Sequence, residues 1–305
     1  MSKLVIIDGN AILHRAFHAM PPLTTRSGEP INAVYGLVSM FLRIISDLAP
    51  DSIVVAFDEK EPTFRQKEFK AYQAQRPPTA DELSSQFGKA KDFLKAANVS
   101  IYSMPGYEAD DVIGTIADRV VKGEGQEVKE VVIITGDRDI LQLVNDKKNI
   151  KLYMPIAGLM NSKLFGEKET IERMGVPPNQ ISDYKALVGD ASDNYPGVAG
   201  IGPKTTEKLL EKYGSIDKIY AHLQDIEPKV RQKLEANKDN AILFHRLATI
   251  VCNVPIKINF NEMDKWKIDS PEVVKLFEKF GFRTLTDRII KMGKVVEAEK
   301  QTTLF

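Results

Sequence analysis

The sequence predicts an α/β protein with a mostly parallel central sheet covered by helices, followed by a smaller helical region. Over the first half of the chain, short β-branched and apolar runs alternate with longer segments of helical periodicity. Strands that are apolar along their whole length are typical of a parallel sheet buried on both faces. After about residue 165 the strand signal nearly disappears, and short helices separated by Gly and Pro follow.

The predicted elements follow one another in strand–helix order. Strands are expected at 4–7, 53–57, 99–102, 131–135 and 150–153, and long helices at 33–48, 81–97 and 109–121. Residues 59–80 interrupt this order with basic and aromatic residues and end in Pro77-Pro78. An insertion of this length inside a compact domain more often serves a function than a connection. A pair of helices is expected near 271–291.

These signals predict three parts: an α/β domain over 1–165, a helical region over 166–292 and a tail over 293–305.

The charged residues balance, with 42 Lys plus Arg and 42 Asp plus Glu. This balance excludes a polybasic protein that coats nucleic acid unselectively, but it does not exclude a polarised surface. The single Cys252 excludes an internal disulfide framework. Neither a signal peptide nor a membrane span is recognisable, so we expect a cytoplasmic protein with no membrane partner.

Acidic residues follow the predicted strands at the points where the strands end. In a parallel sheet these ends meet along one edge, where ligands bind. Further acids open the helix at 109 and occupy the segment 189–194. The nine acids are Asp8, Asp58, Glu108, Asp110, Asp111, Asp137, Asp139, Asp190 and Asp193.

Each acid taken alone is explained as a turn former or as a helix N-terminal residue. Nine carboxylates on one edge would repel each other unless cations neutralised them. Oxygen ligands suit Mg²⁺, and the number of acids indicates two or more ions in a two-metal phosphodiester site, with Mn²⁺ able to substitute. A structural calcium site is the alternative, although the acids lack the spacing of an EF-hand loop.

A glycine-rich segment leads into an amphipathic helix at 206–213. A GxG turn at a helix N-terminus exposes backbone N–H groups to an anion, and no strand precedes it as a dinucleotide site requires. We predict a helix–hairpin–helix at 190–213 that contacts the DNA backbone through one lysine-bearing face; an ordinary solvated lysine face is the alternative. The predicted contacts are Gly197, Gly200, Gly202, Lys204, Thr205 and Lys208.

In combination, these motifs resemble the 5′-nucleases, the family of the 5′→3′ exonuclease domain of bacterial DNA polymerase I and its free-standing relatives. The resemblance runs from residue 3 to about 290. Its motifs are Asp8-Gly9 with Arg15, Phe57-Asp58, Tyr107 to Asp111, Gly136 to Asp139, and Gly189 to Gly202. It implies a monomeric, metal-dependent exonuclease and flap endonuclease of replication and repair, acting on branched duplex DNA with a 5′ flap or a nick and on RNA primers.

The resemblance also implies the roles of the motif residues. One metal would lie among Asp8, Asp58, Glu108 and Asp110, with Asp111 nearby, and the other among Asp137, Asp139, Asp190 and Asp193. The insertion at 59–80 corresponds to the family's helical arch, which the 5′ strand passes. The hairpin would hold the downstream duplex and a potassium ion, and a polymerase domain in the same chain is a further candidate partner.

Basic and aromatic residues at the base of the arch match the family at Arg15, Tyr72 and Arg76. Position 73 departs from the family, because Gln73 stands where a lysine is usual. We expect Lys70 or Arg76 to replace part of the missing cation, which would draw the scissile phosphate onto the metals. Tyr72 is expected either to stack on a base near the junction or to pack on the sheet.

The last five residues resemble the short peptide by which bacterial replication proteins bind the sliding clamp, with Gln301, Leu304 and Phe305 as the candidate contacts. An ordinary linker of a longer polymerase is the alternative.

Two other functions compete with the nuclease: a weakly active or inactive DNA-junction-binding module recruited to the clamp, which only Gln73 favours, and a small α/β ribonuclease, which the helical half argues against.

Overall fold

The computed structural model describes residues 2–125, 127–157 and 161–302 and confirms the predicted α/β class. Its strands are β1 (Lys3–Asp8), β2 (Ser52–Ala56), β3 (Ser100–Tyr102), β4 (Glu130–Ile134), β5 (Ile150–Ala157) and β6 (Asn161–Phe165). They form one six-stranded sheet in the order β3-β2-β1-β4-β5-β6. All neighbours are parallel except β5 and β6, which are antiparallel.

Strand β6 is the one described strand that the sequence analysis missed. It lies at the edge of the sheet, and of its residues only Phe165 is buried. An edge strand needs no continuous apolar run, because one side of it faces solvent. The central strands β1, β2 and β4 are buried almost throughout, which is why their apolar runs are recognisable in the sequence.

Helices surround the sheet and make up most of the second half of the chain. They are α1 (Gly9–Ala19), α2 (Asn32–Leu48), α3 (Phe64–Glu68), α4 (Asp81–Ala96), α5 (Ala109–Val121), α6 (Glu167–Met174), α7 (Ile181–Val188), α8 (Pro203–Tyr213), α9 (Ile216–Ala221), α10 (Pro228–Ala236), α11 (Lys238–Ala248), α12 (Pro271–Phe280) and α13 (Arg283–Thr302). None of the described helices is long and apolar enough to cross a membrane.

Local signals set the bounds of the C-terminal helix pair. The Ser270 hydroxyl accepts a hydrogen bond from the backbone N–H of Val273 at 3.1 Å, and Pro271 occupies the first turn of α12, where its missing N–H costs nothing. Gly281 ends α12 with a φ of 80°, a left-handed conformation that favours glycine. The next helix, α13, continues to Thr302, so the segment predicted as a tail from residue 293 is helical up to there.

The two faces of the sheet are covered by different helices. One apolar cluster joins β1 and β2 to α1, α2, α4, α12 and α13, and the other joins the sheet to α5, α7, α8 and α11. Both clusters contain residues from before and after position 165. The helical region predicted over 166–292 therefore shares its core with the α/β part, and α12 and α13 pack beside α2 and α4 rather than with the hairpin region.

Within the insertion at 59–80, the only α-helix is the five-residue α3. Thr63 caps it, accepting a hydrogen bond from the N–H of Gln66 while the Gln66 side chain accepts one from the N–H of Thr63 at 3.0 Å. A series of tight turns follows, in which Gln73 has a φ of 55°. These turns lie against the segment 191–194, so the insertion covers part of the sheet edge in this structure.

Candidate functional site

A polar cavity of about 540 Å³ lies at the carboxyl ends of β1, β2 and β4. Two more of its walls come from the start of α5 and from the insertion at 59–80. Seven of the nine acids singled out in the sequence line it: Asp8, Asp58, Glu108, Asp110, Asp137, Asp139 and Asp193. The strand ends thus bring together residues that lie up to 185 positions apart in the sequence, as the parallel topology predicts.

Asp8 is held by both of its carboxylate oxygens. It is the last residue of β1 and the N-cap of α1, and its Oδ1 accepts a hydrogen bond from the backbone N–H of Ala11 at 2.9 Å. Its Oδ2 accepts one from the hydroxyl of Thr135 at 2.7 Å. Thr135 also accepts a hydrogen bond from the N–H of Asp137 at 3.0 Å, so one hydroxyl links the acids that follow β1 and β4.

Asp58 and Glu108 face each other across the start of α5. The N–H of Ala109 donates to Asp58 Oδ1 at 2.7 Å, and the Asn10 side chain accepts from the N–H of Asp58 at 3.1 Å. Glu108 accepts hydrogen bonds from the hydroxyls of Thr63 and Tyr72, each at 3.3 Å. The first helical turn of α5 and the insertion therefore orient these two carboxylates.

A second group of acids can share one cation. Ligand atoms of Asp139, Asp190 and Asp193 all lie within 4.8 Å of one another. The ammonium group of Lys185, on α7, contacts both Asp139 and Asp190, and its side chain is only 9% exposed. The coupling of this buried lysine to two carboxylates raises the pKa of Lys185 even though burial alone would lower it.

Burial dominates the electrostatics of the cavity. It raises the pKa of Asp8, Glu108 and Asp139 to about 7 each, and the neighbouring carboxylates add to the effect. The pKa of Asp110 is raised well above its usual range for the same reasons. Such shifts mean that the group of acids needs positive charge to ionise completely, which a divalent cation with oxygen ligands supplies.

Asp111 does not join this group. Its carboxylate is fully buried, forms hydrogen bonds of 2.7 and 2.8 Å with the guanidinium of Arg65, and accepts another from the N–H of Val251 at 2.8 Å. Because successive residues of a helix point about 100° apart, Asp110 faces the cavity while Asp111 faces the interior. We therefore remove Asp111 from the candidate metal ligands.

The arch-base residues occupy different positions. Arg76 donates to Asp193 Oδ1 at 3.0 Å, and the Gln73 side chain donates to the same oxygen at 2.9 Å. Tyr72 is 4% exposed and packs in the core with its hydroxyl on Glu108, at the wall of the carboxylate cavity. Lys70 is exposed and forms no ion pair with any of the described residues.

Arg15 lies beside an acidic motif, and the glycine hairpin lies between α7 and α8, so the helix before the hairpin ends at Val188, ahead of the range predicted over 190–213. A side chain added at Gly136 would come within 3.4 Å of the Arg15 guanidinium, so Arg15 lies beside the Gly136–Asp139 motif. Gly197 and Gly200 have φ values of 68° and 76°, and a Cβ on Gly197 would come within 2.3 Å of the backbone N of Gly189. The hairpin thus requires glycine at these positions.

The hairpin leads into α8, whose first two turns carry the predicted contacts Lys204, Thr205 and Lys208. Gly202 is the N-cap of α8, and Pro203 occupies the first turn. Lys204 and Lys208 are exposed on this helix, and Thr205 is half-buried.

Four residues of the site were not identified from the sequence. Thr135 was recognisable, because it directly precedes the Gly136–Asp139 motif at the end of β4. The pairs Asn10–Asp58, Arg65–Asp111 and Lys185–Asp139 join residues 46 to 48 positions apart, and single-sequence patterns carry no signal for such pairs.

Two family models match consecutive parts of this chain. One, described as the 5′-3′ exonuclease N-terminal resolvase-like domain, covers residues 3–175, and the other, the 5′-3′ exonuclease C-terminal SAM fold, covers residues 176–271. The chain belongs to the 5′-3′ exonuclease family. The resemblance drawn from the sequence motifs is thereby confirmed.

Relatives within the 5′-3′ exonuclease family are of two lengths. A protein named 5′-3′ exonuclease from Aquifex aeolicus is 35% identical over 305 residues, covering all of both chains. DNA polymerase I of Caldicellulosiruptor bescii is 41% identical over 297 residues, which are 97% of this chain and 34% of that protein. The chain thus spans about a third of the polymerase relatives that it matches.

Solved structures support the fold. The T5 D15 protein, co-crystallised with metal ions, aligns with a TM-score of 0.64 at 20% identity, over 96% of this chain and 99% of that one. Flap endonuclease-1 from Methanococcus jannaschii aligns with a TM-score of 0.57 at 17% identity, over 98% and 93% of the two chains. Both proteins have the same overall fold as this chain.

Proposed function

We propose that this chain is a structure-selective 5′→3′ exonuclease and 5′-flap endonuclease that hydrolyses phosphodiester bonds in DNA and in RNA primers with the help of Mg²⁺. The observation that carries the proposal is the convergence of acids from three strand ends and from the start of α5 in one cavity. Membership in the 5′-3′ exonuclease family and the full-length match to a free-standing 5′-3′ exonuclease support it.

The donor set fits two hard divalent ions. Asp8, Asp58, Glu108 and Asp110 would hold one, and Asp137, Asp139, Asp190 and Asp193 the other, with Mn²⁺ as an alternative ion. Bound divalent ions would supply a hydroxide nucleophile at neutral pH and stabilise charge on the scissile phosphate and the leaving oxygen.

The side chains around the acids prepare the site. The Thr135 hydroxyl and the N–H of Ala11 hold the Asp8 carboxylate in one orientation at the wall of the cavity. Arg76 and Lys185 provide the positive charge nearest to the acids, and as phosphate enters we expect each to exchange part of its carboxylate contact for the phosphate oxygens.

The remaining predicted partners belong to this proposal. The hairpin around Gly197 and Gly200, with Lys204 and Lys208, would hold the duplex beyond the junction and could coordinate K⁺ through its carbonyls. A polymerase domain in the same chain is supported by the polymerase relatives. The clamp contact remains a prediction, because Leu304 and Phe305 lie outside the described residues and the side chain of Gln301 is not described.

Cleavage of a 5′-labelled flap on a nicked duplex, with Mg²⁺ or with EDTA, tests the proposal. Magnesium-dependent cutting within a nucleotide or so of the junction is the expected result, and plain single-stranded RNA should be a poor substrate. The second candidate is a weakly active junction-binding module, favoured by the hydrogen bond of Gln73 to Asp193 in place of a cation. Tight flap binding without cleavage would favour that candidate, and cleavage of single-stranded RNA alone would favour a ribonuclease.

A further inference from the structure

A second cavity, of about 440 Å³, shares a wall with the carboxylate cavity. Neighbouring residues face the two cavities: Thr63 and Glu108 line the carboxylate cavity, whereas Phe64 and Tyr107 line the second one. The hydrogen bond from the Thr63 hydroxyl to Glu108 closes the wall between them. We call the second cavity the Phe64–Tyr107 pocket; its lining residues are Phe64, Tyr107, His245, Arg246, Thr249 and Val251.

The two aromatic rings of this pocket are partly exposed but firmly held. Their centroids are 6.0 Å apart with a tilt of 58°, and the guanidinium of buried Arg65 lies 4.5 Å from the Phe64 centroid. The N–H of Phe64 donates to the carbonyl of Gly106 at 2.9 Å, which ties the strand-to-helix turn carrying Tyr107 to α3. Rings that are rigidly held and partly exposed are suited to stacking, because little conformational freedom is lost on binding.

One exposed positive charge, the guanidinium of Arg246, lies beside the rings. Arg246, in the last turn of α11, has a side chain that is 67% exposed, although it also pairs with Glu68 at 2.6 Å. His245 is 34% exposed and approaches Asp183 at 3.4 Å. Aromatic faces combined with cations are the usual means by which proteins bind single-stranded nucleic acid, the rings stacking on bases and the cations contacting phosphates.

We infer that the Phe64–Tyr107 pocket binds an unpaired base of the 5′ single strand whose phosphodiester lies in the carboxylate cavity. The inference rests on the proposed nuclease function and states where the enzyme holds the 5′ single strand that it cuts off. An apolar peptide is a poorer match, because it would desolvate the exposed guanidinium of Arg246. Each stacking ring is adjacent in the chain to a residue that lines the carboxylate cavity, Phe64 to Thr63 and Tyr107 to Glu108.

Fluorescence of 2-aminopurine, which is quenched when the base stacks, tests this inference. The probe is a nicked duplex carrying a short 5′ flap with 2-aminopurine at each flap position in turn, mixed with saturating full chain in EDTA. Quenching is expected at one or two positions beside the junction. In Phe64→Leu and Tyr107→Leu the quenching should disappear, and the ratio of flap affinity to nick affinity should fall about tenfold.

Two further variants separate stacking from a general structural effect. Tyr107→Phe keeps the ring and should retain both the quenching and the affinity ratio. Phe260→Leu removes a partly exposed ring beside Gly125, away from the Phe64–Tyr107 pocket, and should leave both readouts at the wild-type value.

The outcomes for the pocket and for the nuclease are distinguishable. Absence of quenching at every position, or an equal loss of flap and nick affinity in Phe64→Leu, would overturn the pocket inference even if the protein cleaves flaps. Quenching that depends on Phe64 and Tyr107 without magnesium-dependent cleavage would support the pocket and overturn the nuclease. Capture of an apolar peptide instead of the labelled base would also contradict the inference.

Discussion

Arg65 and Asp111 form a buried, two-pronged ion pair with hydrogen bonds of 2.7 and 2.8 Å. Arg65 also donates to the backbone carbonyls of Leu247 and Thr249. The pair therefore joins α3, the first turn of α5 and the end of α11. Because Asp111 accepts from the N–H of Glu108 at 3.1 Å, this network also fixes the backbone that presents a candidate metal ligand to the cavity.

Replacing Arg65 by methionine is expected to destabilise the fold. Asp111 would be left as a buried charge with too few partners, and two backbone carbonyls would lose their donor, which together costs about 3–5 kcal/mol. Urea unfolding followed by circular dichroism measures the change. Lys122→Ala, which removes an exposed pair with Asp118, is the control and should be close to wild type. A loss below about 1 kcal/mol in Arg65→Met would contradict the structural role.

Asp8→Asn separates the charge of this residue from its structural contacts. Asparagine also caps helices through its one side-chain oxygen, and its amide N–H can donate to the Thr135 hydroxyl in place of the hydrogen bond that Asp8 accepts. The fold should therefore keep at least its wild-type stability in EDTA. Loss of one carboxylate from the metal site should nevertheless lower single-turnover cleavage by about 100-fold or more. The exposed Asp81, at the start of α4, gives the matched control Asp81→Asn. Wild-type cleavage by Asp8→Asn would remove Asp8 from the metal ligands.

The part of the site that could be predicted is the part that depends on periodicity and topology. Apolar runs located β1, β2 and β4, and a parallel sheet requires that the residues following them meet, so Asp8, Asp58 and Asp137 could be grouped before any coordinates. Asp110 and Asp111 show the limit of this reasoning. They are adjacent acids in one helical turn, and distant partners of Asp111, the Arg65 guanidinium and the Val251 N–H, accompany its inward direction.

The insertion was harder to predict than the sheet. Its composition suggested a basic, aromatic segment, but its conformation depends on contacts with residues more than 100 positions away, such as Gln73 with Asp193. Tyr72 is buried for the same reason, because the turns at 69–76 fold against the acids rather than away from them. Short-range patterns cannot specify a segment that is stabilised mainly by such distant partners.

Stability in EDTA should be higher near pH 5 than near pH 8. The folded-state pKa values of Asp8, Glu108 and Asp139 are raised to about 7. Each of these carboxyl groups therefore stabilises the folded state fully below its unfolded pKa, and this contribution is lost as the pH rises through 7. Lys185 lowers the pKa of Asp190, so the contribution of Asp190 to folded-state stability is instead lost at acidic pH. Urea midpoints measured across this range check the slope, which Asp8→Asn should flatten.

Divalent metal should reverse this pH dependence. An ion that binds the ionised carboxylates stabilises the folded state more as the pH rises, by linkage. Mg²⁺ should therefore raise the urea midpoint at pH 8 more than at pH 5. A midpoint in EDTA that increases from pH 5 to pH 8, or a magnesium effect that is the same at both, would contradict the assignment of the raised pKa values to a metal site.

Arg76 is the better of the two candidates for the missing cation at position 73. It contacts Asp193, whereas Lys70 points into solvent without an ion pair among the described residues. Arg76→Gln should lower single-turnover cleavage by about tenfold or more, and Lys70→Gln should have a smaller effect. Gln73→Lys should raise the rate. An equal loss in Arg76→Gln and Lys70→Gln, or no response to Gln73→Lys, would contradict this assignment.

Lys204 and Lys208 are expected to bind the duplex through its phosphates. Both are exposed on α8 and lie one turn apart, with Lys204 close to the Gly202 N-cap, so both can reach the same DNA backbone. Lys208→Gln should weaken binding equally for unrelated duplex sequences and reduce the slope of log Kd against log salt by about one. The matched control is Lys279→Gln on α12, a helix that packs with α2 and α4 away from the hairpin. A salt slope that changes equally in both variants would show that α8 has no special part in DNA binding, since the loss would then follow from net charge alone.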